Sequence, residues 1–108
     1  MSKEDSQITI KVSTDDNNVP EHITWHASDR DKEPSEARAV FLSVWDPNER
    51  NTLRIDLWDK EMNVDDMKTF VFQTMLTMAD SLERATGDEE LTEALRKFSQ
   101  AFGKRIGL

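Results

Sequence analysis

Apolar and polar positions alternate with a period of two in ITIKVST, where Ile8, Ile10 and Val12 share one side and Thr9, Lys11 and Ser13 the other. That spacing predicts a strand with one wetted face. DDNNVP supplies turn formers, and EHITWHA alternates again, with Ile23, Trp25 and Ala27 against His22, Thr24 and His26. A first hairpin is predicted. SDRDKEPSE, residues 28–36, is polar apart from Pro34 and predicts a solvated, mobile connection. In the third run, ARAVFLSVW, Val40, Leu42 and Val44 occupy one side while Ala39, Phe41 and Trp45 occupy the other, so both faces ask for cover. DPNERN turns the chain, and TLRIDLW returns with Leu53, Ile55 and Leu57 alternating against Arg54, Asp56 and Trp58.

Beyond these strands the apolar period changes to that of a helix. Asn63 is placed to cap a helix from about Val64 to Thr86, with Asp65 and Asp66 in the first turn, where negative charge suits the unpaired N–H groups. Gly87 supplies a left-handed stop, and Asp88 caps a second helix running to about Arg105. In the second helix Leu91, Ala94, Leu95, Phe98, Phe102 and Ile106 form one stripe, as for a helix lying on a sheet. The first is broader: Met67, Phe70, Val71, Met75, Met78 and Leu82 make a stripe that Phe72, Leu76 and Ala79 widen to roughly two-thirds of the circumference. The order β-β-β-β-α-α predicts an α+β fold: a four-stranded antiparallel sheet with two C-terminal helices packed on one face. The whole chain, 1–108, is read as a single domain with a flexible segment over residues 1–6.

Composition narrows the function. With 22 acidic and 14 basic residues the net charge is −8, which repels a phosphate backbone or an anionic membrane surface. The absence of cysteine removes disulfides, thiolate metal sites and thiol nucleophiles, and fits a reducing compartment. The opening MSKEDSQ has no apolar core of a signal peptide, so a cytoplasmic location is expected, without membrane insertion.

Candidate chemistry is sparse. His22 and His26 on a strand lie roughly 13 Å apart, too far to share one metal ion. DRDKEPSEARAV begins like a calcium loop but has Pro34 where glycine is needed and Val40 where a bidentate Glu is needed. The three glycines, Gly87, Gly103 and Gly107, stand near helix ends, so no phosphate-cradling loop is present. Ser43 lies within a strand, without the tight turn of an exposed nucleophile. Asp46 and Asp59 end strands and fix turns. Neither a catalytic site, a cofactor nor a metal is expected, and an enzyme would need a pocket of convergent polar groups, near Asp56 or His26.

The second hairpin carries more information. A five-residue loop, Pro47 to Asn51, sets Trp45 opposite Leu53; a loop one residue shorter or longer puts Trp45 on the face of Trp58. We expect one Trp to serve the core and the other, Trp58, to face outward. Two helices cover one face of an open sheet, so the other face keeps an apolar patch, and such patches mark interaction surfaces. The alternative is partial burial beneath Lys and Arg stems. Phe41, Val44, Trp45, Arg54, Asp56 and Trp58 are the candidate protein-interface residues.

At these same residues the chain resembles the gliding-motility protein GldC family of Bacteroidetes. The similarity runs through NNVPEHITWHA, EARAVFLSVWD, NTLRIDLWDKEMNVDDMKTFVFQTMLTMADSLERATGDEE and the closing amphipathic helix. It implies a small soluble accessory protein of gliding motility, a process tied in that phylum to type IX secretion, with no known enzymatic activity and no known functional residues to carry over. Two readings result. The first is an interaction module whose helix-free sheet face binds a motility or secretion component, or a second copy as a homodimer. The second is an acidic chaperone or adaptor for secretion or motility clients, served by the Met-rich first helix.

Overall fold

The computed structural model describes residues 5–30 and 32–108. Strands β1 (Ile8–Thr14) and β2 (Pro20–Ala27) form the predicted antiparallel hairpin, with Ile10 opposite Trp25 and Val12 opposite Ile23. Asp15 builds the turn between them. Its carboxylate accepts the N–H groups of Asn17 at 2.8 Å and Val19 at 3.0 Å, while Asn18 takes the left-handed conformation that Asn tolerates. A short β3 (Ser35–Ala37) pairs with β2, placing Ala37 opposite Ile23 and giving the order β1-β2-β3. Ile23, the central side chain of this apolar face, is 2% exposed.

Strands β4 (Ala39–Asp46) and β5 (Asn51–Trp58) form a separate two-stranded sheet, so the expected single four-stranded sheet is corrected to three strands plus two. The chain bends at Arg38, between the residues that pair with β2 and those that pair with β5. Arg38 is held at that bend from both its main chain and its side chain. Its carbonyl accepts the Asp59 N–H at 2.8 Å, and its guanidinium meets the Asp59 carboxylate at 3.2 Å. The Lys60 N–H donates to the Pro20 carbonyl at 3.2 Å, tying the start of β2 to the residues after β5. Of the connection predicted as mobile, residue 31 lies outside the described residues and Ser35 and Glu36 belong to β3. The segment predicted as flexible, 1–6, lies mostly outside them.

The strand unit ends at Met62, and the helical unit comprises Asn63–Leu108. Helices α1 (Val64–Thr86) and α2 (Glu89–Arg105) fall where the sequence predicts them. Asn63 accepts the Asp66 N–H at 2.8 Å and Asp88 the Leu91 N–H at 3.0 Å, satisfying donors that each first turn leaves unpaired. Gly87, with φ 67°, returns its N–H to the Glu83 carbonyl.

The two helices meet through small side chains. Ala79 of α1 and Thr92, Ser99 and Gly103 of α2 are buried, and the approach is so close that a Cβ at Gly103 would stand 2.6 Å from Cε1 of Phe72. This seam lies beside the predicted stripe of α2 rather than on it. Leu95, Phe102 and Ile106 are partly covered, whereas Leu91 and Phe98 are exposed. Arg96 crosses from α2 to Asp80 at 3.0 Å and Glu83 at 3.2 Å of α1, and these carboxylates raise its pKa further.

Candidate protein interface

The geometry of the β4–β5 hairpin starts at Asp46. Its carboxylate accepts the N–H groups of Asn48 at 2.9 Å and Glu49 at 3.4 Å, and Arg50 takes a left-handed φ of 51°. That local closure lets Asn51 pair directly with Asp46, leaving a four-residue loop, 47–50. The pairing settles the register that the sequence left open: Trp45 faces Thr52, Phe41 faces Asp56 and Ala39 faces Trp58. Trp45 and Trp58 therefore share one face with Phe41, Ser43, Arg54 and Asp56. The other face is aliphatic, with Leu42 opposite Ile55, Val44 opposite Leu53 and Val40 opposite Leu57.

This register corrects the expectation of one inward and one outward Trp. Trp45 is 57% exposed and Trp58 51%. Of the six candidate residues, Phe41, Trp45, Arg54, Asp56 and Trp58 come together on one face, while Val44 stands on the other. Arg54 and Asp56, two positions apart on β5, make an exposed ion pair at 3.6 Å. Partial burial under a cationic stem does occur, but at the third Trp: the Arg30 guanidinium lies 4.6 Å from the Trp25 ring centre.

Polar groups converge where the two sheets meet. A cavity of about 540 Å³ there is lined by Glu21, His22, Ile23, Glu36, Ala37, Arg38, Asp59, Lys60 and Glu61. Asp59, only 5% exposed, bonds Arg38 and accepts the Glu61 N–H at 3.0 Å, the turn-fixing role the sequence suggested. Lys60 spans Asp15 at 2.6 Å and Glu21 at 3.2 Å. The hydrogen bond from Lys60, with the Val19 N–H next in size, lowers the Asp15 pKa to about 2; reciprocally the two carboxylates raise that of Lys60. These charges hold the β1–β2 turn to the end of β5. Lys60 carried no signal in the sequence beyond its charge, because both its partners are distant along the chain.

Two further cavities adjoin Asp56 and His26, the residues near which an enzyme would need its pocket. One, of about 470 Å³, lies beside Asp56, Trp58 and Asp59; the other, of about 420 Å³, lies beside Trp25 and His26. In the first, Asp59 and Lys60 are engaged in the ion pairs above. No group of three or more His, Cys, Asp or Glu residues able to hold a metal is present among the described residues. Nor is any described helix long and apolar enough to cross a membrane.

No curated protein and no solved structure gives a significant match to the chain. A family model does, over residues 20–108, which takes in β2, the bend at Arg38, the Trp-bearing hairpin and both helices. By that match the chain belongs to the gliding motility-associated GldC-like family.

Proposed function

We propose that this protein is a small non-enzymatic accessory protein of gliding motility that binds a motility or secretion component through the Trp-bearing face of its β4–β5 hairpin. One observation carries the reading: Trp45 and Trp58 lie on the same face and both keep more than half their surface exposed. Trp combines a large apolar ring with an N–H donor, which makes a pair of them an efficient binding surface. Arg54 and Asp56 between them supply a polar element that can fix orientation. An accessory role fits family membership and the commitment of Asp59 and Lys60 to structural ion pairs.

The test is cross-linked affinity purification from the native bacterium, comparing wild type with Trp58→Glu. A circular dichroism spectrum first establishes that the variant is folded. Loss of one motility or secretion component in the variant supports the reading, and an unchanged partner list overturns it.

The chaperone or adaptor reading is favoured by the exposure of Met78, Leu91 and Phe98 in the helical unit. It predicts capture of several unfolded clients that survives Trp58→Glu and weakens in Phe98→Glu.

A further inference from the structure

The β4–β5 sheet has two strands, and no described strand pairs with the outer edge of β5. Every residue of β5 except Leu57 is exposed. An isolated two-stranded hairpin is marginally stable, and an open edge presents unpaired N–H and C=O groups to another strand. The direction of those groups follows from the register. The Asp59 N–H bonds the Arg38 carbonyl, extending the ladder in which Trp58 faces Ala39. Backbone groups alternate in direction along an antiparallel strand, so Leu57, Ile55 and Leu53 turn theirs toward β4. Thr52, Arg54 and Asp56 turn theirs to the open edge, which closes past Trp58, where the Lys60 N–H of the same set bonds the Pro20 carbonyl of β2.

We infer that this edge takes a second copy of the chain, β5 against β5, antiparallel about a two-fold axis at Ile55. An axis at Arg54 would set Arg54 directly opposite its own copy, and an axis at Asp56 would do the same with carboxylates; like charges in those positions destabilise a pair. An axis at Ile55 sets each Arg54 opposite the other copy's Asp56. Both belong to the outward-directed set, so they exchange main-chain hydrogen bonds as well as charge. Each Arg54 then stands between its own Asp56, at 3.6 Å, and that of the second copy.

This local neutrality matters for two chains that each carry −8. The same axis sets Ile55 against Ile55 and Leu53 against Leu57, doubling the aliphatic face of the hairpin into one continuous surface. The edge of β1 lacks this complementarity, since Lys11 sits at its centre and the strand has no acidic residue. Such an isologous contact is the commonest symmetry of soluble oligomers. It uses the edge of β5 rather than the face proposed above for a partner.

Sedimentation equilibrium of the full chain tests the pairing. Wild type should sediment at twice the 12.5 kDa chain mass, and Arg54→Asp or Asp56→Arg alone should return it to a single chain mass. An equimolar mixture of the two single variants should recover the doubled mass, because opposite charges again face each other across the axis. A cis ion pair within one chain cannot produce that rescue.

A second measurement does not depend on the charge variants. The chain has no cysteine, so Ile55→Cys should form a disulfide dimer under mild oxidation. Leu53→Cys should not, since its copies lie roughly 13 Å apart along the paired strands, beyond disulfide reach. Wild type at a single chain mass, a mixture that stays at that mass, or equal cross-linking at both cysteine positions would each overturn the proposal. Solution mass and partner capture are separate readouts, so failure of one inference leaves the other standing.

Discussion

Trp45 and Trp58 lie on the same face of one hairpin, thirteen positions apart in sequence, because Asp46 closes a four-residue loop that pairs Asn51 with itself. Their exposure predicts an unusual stability profile. Trp45→Ala and Trp58→Ala should each cost about 1.5 kcal/mol, roughly half the value for full burial of a large side chain. Ile23→Ala, at a site 2% exposed, should cost about 2–5 kcal/mol despite removing a smaller group. Urea denaturation of the three variants gives the comparison.

Lys60 and Asp15 predict a pH dependence with a defined sign. Asp15 titrates in the folded chain at about 2 against an ordinary value of 3.8. Its contribution to stability is therefore present above pH 3.8 and is lost as pH falls through about 2. Lys60 is raised above 10.5, so its contribution is complete below that pH and is lost as pH rises through the raised value. In an NMR titration, Lys60→Met should move the Asp15 midpoint upward but leave it below 3.8, because the Val19 and Asn17 N–H groups still bond the carboxylate.

The seam between α1 and α2 predicts a sign change. Ala is favoured over Gly within a helix by about 1 kcal/mol. At Gly103, however, the added methyl would meet the Phe72 ring at 2.6 Å, and such overpacking costs about 1–3 kcal/mol. Gly103→Ala should be net destabilising in wild type and should become stabilising in a Phe72→Leu background. Thermal unfolding of the four chains in the cycle measures this.

Arg38→Met should cost about 1–3 kcal/mol, because it strips the buried Asp59 carboxylate of its cationic partner while leaving the Glu61 N–H in place. Asp59→Asn should cost less, since the amide oxygen still accepts that N–H and the charge to be compensated is gone. Denaturant midpoints of the two variants rank the effects.

The local pattern of this sequence was enough to set the strand alternation, both helices and their caps at Asn63, Gly87 and Asp88, because each depends on residues within a turn or two. It also marked the second hairpin as carrying more apolar surface than one covered face requires. Three features were decided only in the tertiary structure. The strand break at Arg38 depends on where pairing passes from β2 to β5, and alternation reads the same on either side of such a change. The face of Trp45 turned on a one-residue difference in loop length, which a period of two converts into opposite sides of a sheet. The helix seam runs along Thr92, Ser99 and Gly103 rather than the larger apolar stripe, because close approach of two backbones selects small side chains, and hydrophobic periodicity does not register size.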